Sequence, residues 1–104
     1  MPAAVILCAA PDRRAAERIA RLLVERKLAG CVSFAGGAIS LYRWKGRMER
    51  AKETLLFIKT TEKNFSKVKK AIEANHPYEV PEILSLPVKR GSAAYLKWLA
   101  GALK

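Results

Sequence analysis

The feature that most constrains this chain is a pair of long extended arms joined by a tight turn. From Ile39 to Lys45 the residues alternate, so that Ser40, Tyr42 and Trp44 point one way and Leu41 and Arg43 the other. Lys45-Gly46-Arg47 supplies a hairpin turn, and the return arm runs from Met48 to Thr60, strongest in Thr54-Leu55-Leu56-Phe57-Ile58. Upstream, the first arm begins at Cys31 and is interrupted at Gly36-Gly37. Paired glycines inside a strand predict a bulge or bend rather than an end. In a chain of 104 residues such arms outrun the core that the chain can build. A long hairpin of this kind pairs with another chain, so self-association is expected.

The remaining segments fall into place around the hairpin. Met1 to Ala10 reads as a strand buried on both faces, because Ala4-Val5-Ile6-Leu7-Cys8 is continuously apolar. Pro11 breaks it, Asp12 is a plausible N-cap, and Ala16, Ile19, Ala20 and Leu23 recur at helical spacing between Arg13 and Lys27. After the hairpin, Thr61 is expected to cap a second helix whose buried stripe is Phe65, Val68 and Ile72. His76-Pro77 ends that helix, since a residue before proline avoids the helical region. A fourth strand follows from Ile83 to Val88. Ser92 then opens a C-terminal helix with Tyr95, Leu96, Leu99 and Leu103 as its apolar face. The order β-α-β-β-α-β plus a final helix predicts an α+β, ferredoxin-like sandwich in a single domain over residues 1–104. Right-handed crossovers give a four-stranded antiparallel sheet with both main helices on one face. The other face is left to a partner, most simply a second copy of the chain.

Charge is the next constraint. Twenty Lys and Arg face nine Asp and Glu, a formal charge of +11. The basic residues are spread over helix faces and turns, and no zinc finger, RNP-like aromatic motif or GXXG loop accompanies them. The expectation is salt-sensitive attraction to polyanions with no specific nucleic-acid function. The longest apolar run, Val5 to Ala10, is far too short to span a bilayer, and no export pattern surrounds it, so a cytoplasmic protein without membrane association is expected. Cys8 and Cys31 both sit in apolar surroundings. A disulfide between them is open on sequence alone, but free, buried thiols are the better expectation in that compartment. Phosphate-binding loops, HExxH and CxxC are missing, and a single histidine excludes a His-rich metal cage within one chain. With no nucleophile or cofactor motif beside His76, the chain is expected to be a binder rather than an enzyme, with no organic cofactor.

Several segments are distinctive when taken together. They are Leu7-Cys8-Ala9-Ala10-Pro11-Asp12, Leu28-Ala29-Gly30-Cys31-Val32, Ser40-Leu41-Tyr42-Arg43-Trp44-Lys45-Gly46, Ile58-Lys59-Thr60 and His76-Pro77-Tyr78-Glu79-Val80-Pro81-Glu82. In this order and at these spacings they closely resemble the CutA family, the divalent-cation tolerance proteins, over nearly the whole chain. The resemblance implies a ferredoxin-like fold assembled as a tight homotrimer in the cytoplasm, linked to tolerance of copper and other divalent metals, with a small-ligand sensor or signalling and docking module as the alternative. Apolar burial in such an assembly and the prolines at 77, 81 and 87 predict a thermostable protein.

The resemblance supports two site readings. In the first, Cys8 and His76 correspond to residues proposed as copper ligands in CutA-like proteins, and a thiolate with an imidazole suits copper. Where some relatives carry a histidine pair, this chain has Asn75-His76. Against this reading, Cys8 serves as a core strand thiol and His76 as a helix-ending residue hydrogen-bonded to a neighbour. In the second, Tyr42, Trp44, Glu53, Lys59, His76, Tyr78, Glu79 and Glu82 match positions that gather at a cleft between subunits. A carboxylate, an ammonium and an imidazole lined by aromatics would take a small anion or zwitterion; a structural ion-pair network fixing the trimer is the alternative. Strand alternation puts Glu53, Leu55, Phe57 and Lys59 on one face. The basic stretch Arg47-Met48-Glu49-Arg50-Ala51-Lys52 is expected to disfavour metal cations and favour anions.

Overall fold

The computed structural model describes residues 2–104, so the expected start of the first strand at Met1 lies outside the described residues. Strand β1 (Ala3–Ala10) leads through the Pro11-Asp12 break into helix α1 (Arg13–Glu25). Asp12 caps that helix as its sequence suggests, its carboxylate accepting the Ala15 backbone N–H at 2.8 Å. The long arms are β2 (Cys31–Trp44) and β3 (Arg47–Thr61). Helix α2 (Phe65–Asn75), strand β4 (Ile83–Pro87) and helix α3 (Ala93–Ala102) complete the chain. The sheet order is β2-β3-β1-β4 with every pairing antiparallel, so the ferredoxin-like α+β arrangement is observed.

The core lies between one face of this sheet and the two main helices. Ile6, Cys8, Leu56 and Ile58 from the central strands meet Ala16, Ile19 and Leu23 of α1 and Val68 and Ile72 of α2, all almost fully buried. Buried alanines at 15, 16 and 20 let α1 lie close to the sheet. The opposite face of the sheet is uncovered along most of its length: Phe57, Leu84 and Leu86 remain exposed there. Helix α3 packs at the start of β2, where a Cβ on Gly30 would stand 2.6 Å from Leu99 Cδ1. Of the apolar face expected for α3, Leu99 alone is fully buried, Tyr95 stays exposed against Trp98, and Leu103 is the C-cap rather than a helical residue.

Three local features depart from regular strand and helix geometry. At Gly36-Gly37 the ladder slips: Ala35 pairs with Leu55 but Ala38 pairs with Glu53, so two glycines oppose Thr54. Gly37 takes φ +85°, open to glycine at little cost. The extra residue reverses the facing of β2. Phe34 faces the helices, whereas Ser40, Tyr42 and Trp44 beyond the bulge share the uncovered side with Glu53. Second, Lys45 and Gly46 both adopt positive φ (51° and 77°) between the paired Trp44 and Arg47, a two-residue turn of the type that matches strand twist. The hairpin projects far enough to give the molecule extents of 44 × 25 × 23 Å.

Third, Thr61 does not cap α2. It stays in the ladder opposite Ala3, and the Glu62 N–H extends that ladder by donating to the Pro2 carbonyl at 3.1 Å. A 3₁₀ turn, Glu62–Asn64, therefore precedes the helix, and no side chain caps either. The Thr60 hydroxyl instead donates to the Leu28 carbonyl at 2.6 Å, tying this corner to the end of α1.

That end is itself a sequence compromise. Leu28 N–H reaches Leu23 O at 2.9 Å and Lys27 N–H reaches Val24 O at 3.0 Å, a helix-ending motif that needs a left-handed residue. The residue is Lys27, at φ 58°. Replacing it with the residue this conformation favours, Lys27→Gly, is expected to raise unfolding stability by about 0.5–1 kcal/mol. Urea denaturation checks this, and a lowered midpoint would count against the assignment.

Candidate functional site

The segment between α2 and β4 is folded back over the end of the sheet by one histidine. Pro77 holds His76 extended, with φ −94° and ψ 136°. Its ring then makes two hydrogen bonds: Nδ1 accepts the Tyr78 backbone N–H at 3.0 Å, and Nε2 lies 2.8 Å from the Ala9 carbonyl. A backbone N–H can only donate and a carbonyl can only accept, so the ring is the neutral tautomer protonated at Nε2. Tyr78 packs against that ring at 4.8 Å between centroids. Its hydroxyl reaches across to β3 and donates to Glu53 Oε2 at 2.8 Å. Burial, and secondly the bond to Glu53, push the Tyr78 hydroxyl well above the ordinary tyrosine range, so it remains a donor.

Between this loop and the hairpin lies a cleft of about 650 Å³. Tyr42 and Trp44 come from β2, Glu53 from β3, and Tyr78, Glu79 and Glu82 from the loop, with Ala9 of β1 also in the lining. Six residues picked out by sequence thus meet in one chain. Lys59 does not join them. It shares the face of Glu53 but stands six residues further along β3, about 20 Å away at strand spacing. There its ammonium donates to Ser33 Oγ at 2.6 Å and lies 3.8 Å from Cys31 Sγ. The further lining residues Ser40, Leu41, Pro77 and Val80 carry no chemistry of their own in sequence; only their adjacency to Tyr42, Tyr78 and Glu79 could have marked them.

Both cysteines are free. Cys31 is half-buried rather than buried, beside Tyr95 of α3. Cys8 is 1% exposed and belongs to the core between the sheet and the helices. Burial is the first cause that pushes its thiol up to about 12, with the charges of Glu82 and Glu53 adding to the rise. A metal needs the thiolate and a free imidazole lone pair. Here the thiol holds its proton, and both nitrogens of His76 are engaged by the backbone. No three His, Cys, Asp or Glu side chains converge on a metal-sized point among the described residues. Cys8 and His76 as arranged do not fit a copper centre; they fit a core thiol and a loop clamp.

The Cys8 thiol links stability to alkaline pH. Its ordinary value is 9.0 and its folded value is about 12, so the protonated form is favoured by folding. That contribution is complete below pH 9 and is lost as pH climbs toward 12. Urea midpoints measured from about pH 8 to about pH 11 are expected to fall, and to fall less steeply in Cys8→Ala. An identical pH slope in the variant would remove Cys8 as the cause.

The likeness of this chain to known proteins extends over nearly its whole length. Residues 4–102 match the family model for the CutA1 divalent ion tolerance protein. The divalent-cation tolerance protein CutA of Thermus thermophilus is 45% identical over 95 residues, 91% of this chain and 92% of the relative. Its counterpart in Pectobacterium atrosepticum is 42% identical over 102 residues, 98% of this chain and 93% of the relative. Among solved structures, the periplasmic divalent cation tolerance protein CutA from Archaeoglobus fulgidus superposes with a TM-score of 0.95 at 34% identity, covering 98% of this chain and 99% of its own. A match that takes in the sheet, the hairpin and the cleft loop together makes this chain a member of the CutA1 divalent ion tolerance protein family.

Proposed function

We propose that this chain is a non-enzymatic divalent-cation tolerance protein that works in the cytoplasm as a thermostable homotrimer, with copper or another divalent metal as the ion concerned. The observation that carries the reading is the whole-length match to the divalent ion tolerance family. The cytoplasmic part is supported by two unpaired thiols, which fit a reducing compartment. The absence of an enzymatic role is argued from the site: its one imidazole is taken up in holding the loop, so it has no free nitrogen with which to move a proton.

Self-association is supported by what one chain leaves uncovered. Leu41, Met48, Leu84 and Leu86 are 65%, 75%, 56% and 49% exposed, on a projecting hairpin and on a bare sheet face. Apolar area of that extent on a small domain is normally covered. Native mass spectrometry at low micromolar concentration is expected to give a three-chain mass. Leu86→Lys, which sets a charge on the bare face, is expected to lower that mass. A single-chain mass independent of concentration would overturn the trimer, and an unchanged three-chain mass in Leu86→Lys would remove this face as the contact.

Metal uptake by the resting protein at neutral pH is weak in this reading. Copper would have to displace a proton from a core thiol and two backbone hydrogen bonds from His76. Calorimetric titration of reduced protein with copper(II) at neutral pH is expected to show no tight saturation, and Cys8→Ser and His76→Ala are expected to leave the heats unchanged. Saturation near one copper per chain, lost in both variants, would reverse this and establish the pair as a metal centre.

A further inference from the structure

The two main helices form the side of the molecule turned away from the bare sheet face, and two hydrogen bonds fix how they lie. Arg18 Nη2 donates to the Asn75 carbonyl at 3.2 Å, and Asn64 Nδ2 donates to the Leu28 carbonyl at 3.5 Å. The start of α1 thus meets the end of α2, so the helices run antiparallel, side by side. Leu22 packs against the core and Ala71 belongs to it. The next stripe outward on each helix therefore stands at the mouth of the groove between them. On α1 that stripe is Arg14, Arg18 and Arg21, and on α2 it is Lys67 and Lys70, all of them exposed.

Neither stripe is built as a solvated helix face usually is. Opposite charges one turn apart support a helix, and like charges there work against it. The ion pairs among the described residues are Arg21–Glu17 and Lys69–Glu73. Among those residues Arg13, Arg14, Arg18, Lys67 and Lys70 have no acidic partner, and Arg14 repels Arg18 one turn on. Arg13 and Arg14 also stand in a first turn without an acidic residue, where the helix dipole disfavours cations. A cluster set against the stability of its own helix is the pattern of a binding surface. An open depression of about 580 Å³ runs along it, lined by Arg13, Arg14, Glu17, Arg18 and Arg21.

We propose that this face binds a short run of linked phosphate groups, with Arg14, Arg18 and Arg21 as forked donors and Lys67 and Lys70 as cations across the groove. Guanidinium groups match phosphate oxygens two at a time. Arg18 is already held across the groove by the Asn75 carbonyl. From Arg14 to Arg21 the helix rises about 10 Å, room for a few phosphates. Glu25 ends the stripe at the next turn, so a long polyanion would meet a negative charge there. The exposed positions of α1 and α2 offer no aromatic ring to stack a base and no apolar row to enter a membrane. The ligand is then an inorganic oligophosphate or the phosphate tail of a nucleotide. A trimer closed through the bare sheet face leaves this layer outside, and the site is complete within one chain. The inference therefore rests on neither the tolerance role nor the assembly.

The test is calorimetric titration of the whole protein with sodium tripolyphosphate in about 50 mM sodium chloride, with native mass spectrometry on each sample. Saturation near one tripolyphosphate per chain is expected, with sulfate at equal ionic strength binding at least about tenfold more weakly. Arg14→Gln combined with Arg18→Gln is expected to weaken tripolyphosphate about tenfold, with unchanged circular dichroism and mass. Lys97→Gln combined with Lys104→Gln removes equal charge at the C-terminal helix and is expected to leave binding unchanged. ATP binding tighter than tripolyphosphate assigns the nucleotide source and ATP no tighter assigns the inorganic one; either upholds the site. Equal weakening by the two double variants would reduce the effect to net charge and overturn the proposal, as would the lack of saturation. A single-stranded DNA oligonucleotide held more than about tenfold tighter by the same arginines would overturn it in favour of a nucleic-acid surface.

Discussion

A single extra residue in one strand decides what this molecule shows to its surroundings. Without the Gly36-Gly37 bulge, strand alternation would carry Ser40, Tyr42 and Trp44 to the side of Phe34, toward the helix layer, and turn Arg43 to the side they now occupy. The slip opposite Thr54 leaves the first half of β2 free to feed the core and turns the second half toward the 76–82 loop. One strand thus serves two environments. Glycine makes the change of facing easy, because Gly37 sits at φ +85°.

The loop that completes the cleft depends on a neutral imidazole. His76 links the Ala9 carbonyl at the end of β1 to the Tyr78 amide, and Tyr78 in turn reaches Glu53 on β3. The chain of hydrogen bonds spans three segments remote in sequence and passes through groups that must each hold a particular proton. The histidine is therefore an architectural part, and the chemistry of the cleft belongs to the carboxylates and aromatic rings that it brings into range. Within this chain Cys8 belongs to the core, and both ring nitrogens of His76 are taken up by backbone groups.

Much of the fold was legible because periodicity reports burial directly. Ala16, Ile19, Ala20 and Leu23 had to line one face of α1, and the alternation from Ile39 to Lys45 had to be a strand. The glycine pair announced a bulge. What it could not announce was the phase of the strand beyond it, since that depends on which residue of β3 faces the extra one. Thr61 looked like a helix cap by residue type, but a ladder bond from Glu62 to Pro2 held it in the sheet, and a pairing partner as remote as Ala3 leaves no local mark. Lys59 shares the face of Glu53 as alternation requires, and within one chain it stands at the far end of that face, bonded to Ser33. For Cys8 and His76 the residue types suit copper, while the burial of the one and the backbone hydrogen bonds of the other are things that sequence does not display.

The shortness of β4 has a dynamic meaning. It is a five-residue edge strand, paired with β1 alone, and it begins just after the loop that carries Tyr78, Glu79 and Glu82. In such a sheet the outermost short strand opens at a free energy well below that of global unfolding. The 76–82 loop is held besides by the inner strands, through His76 to Ala9 of β1 and Tyr78 to Glu53 of β3. One side of the cleft thus adjoins a five-residue edge strand, whereas Glu53 stands on β3, which is paired on both sides.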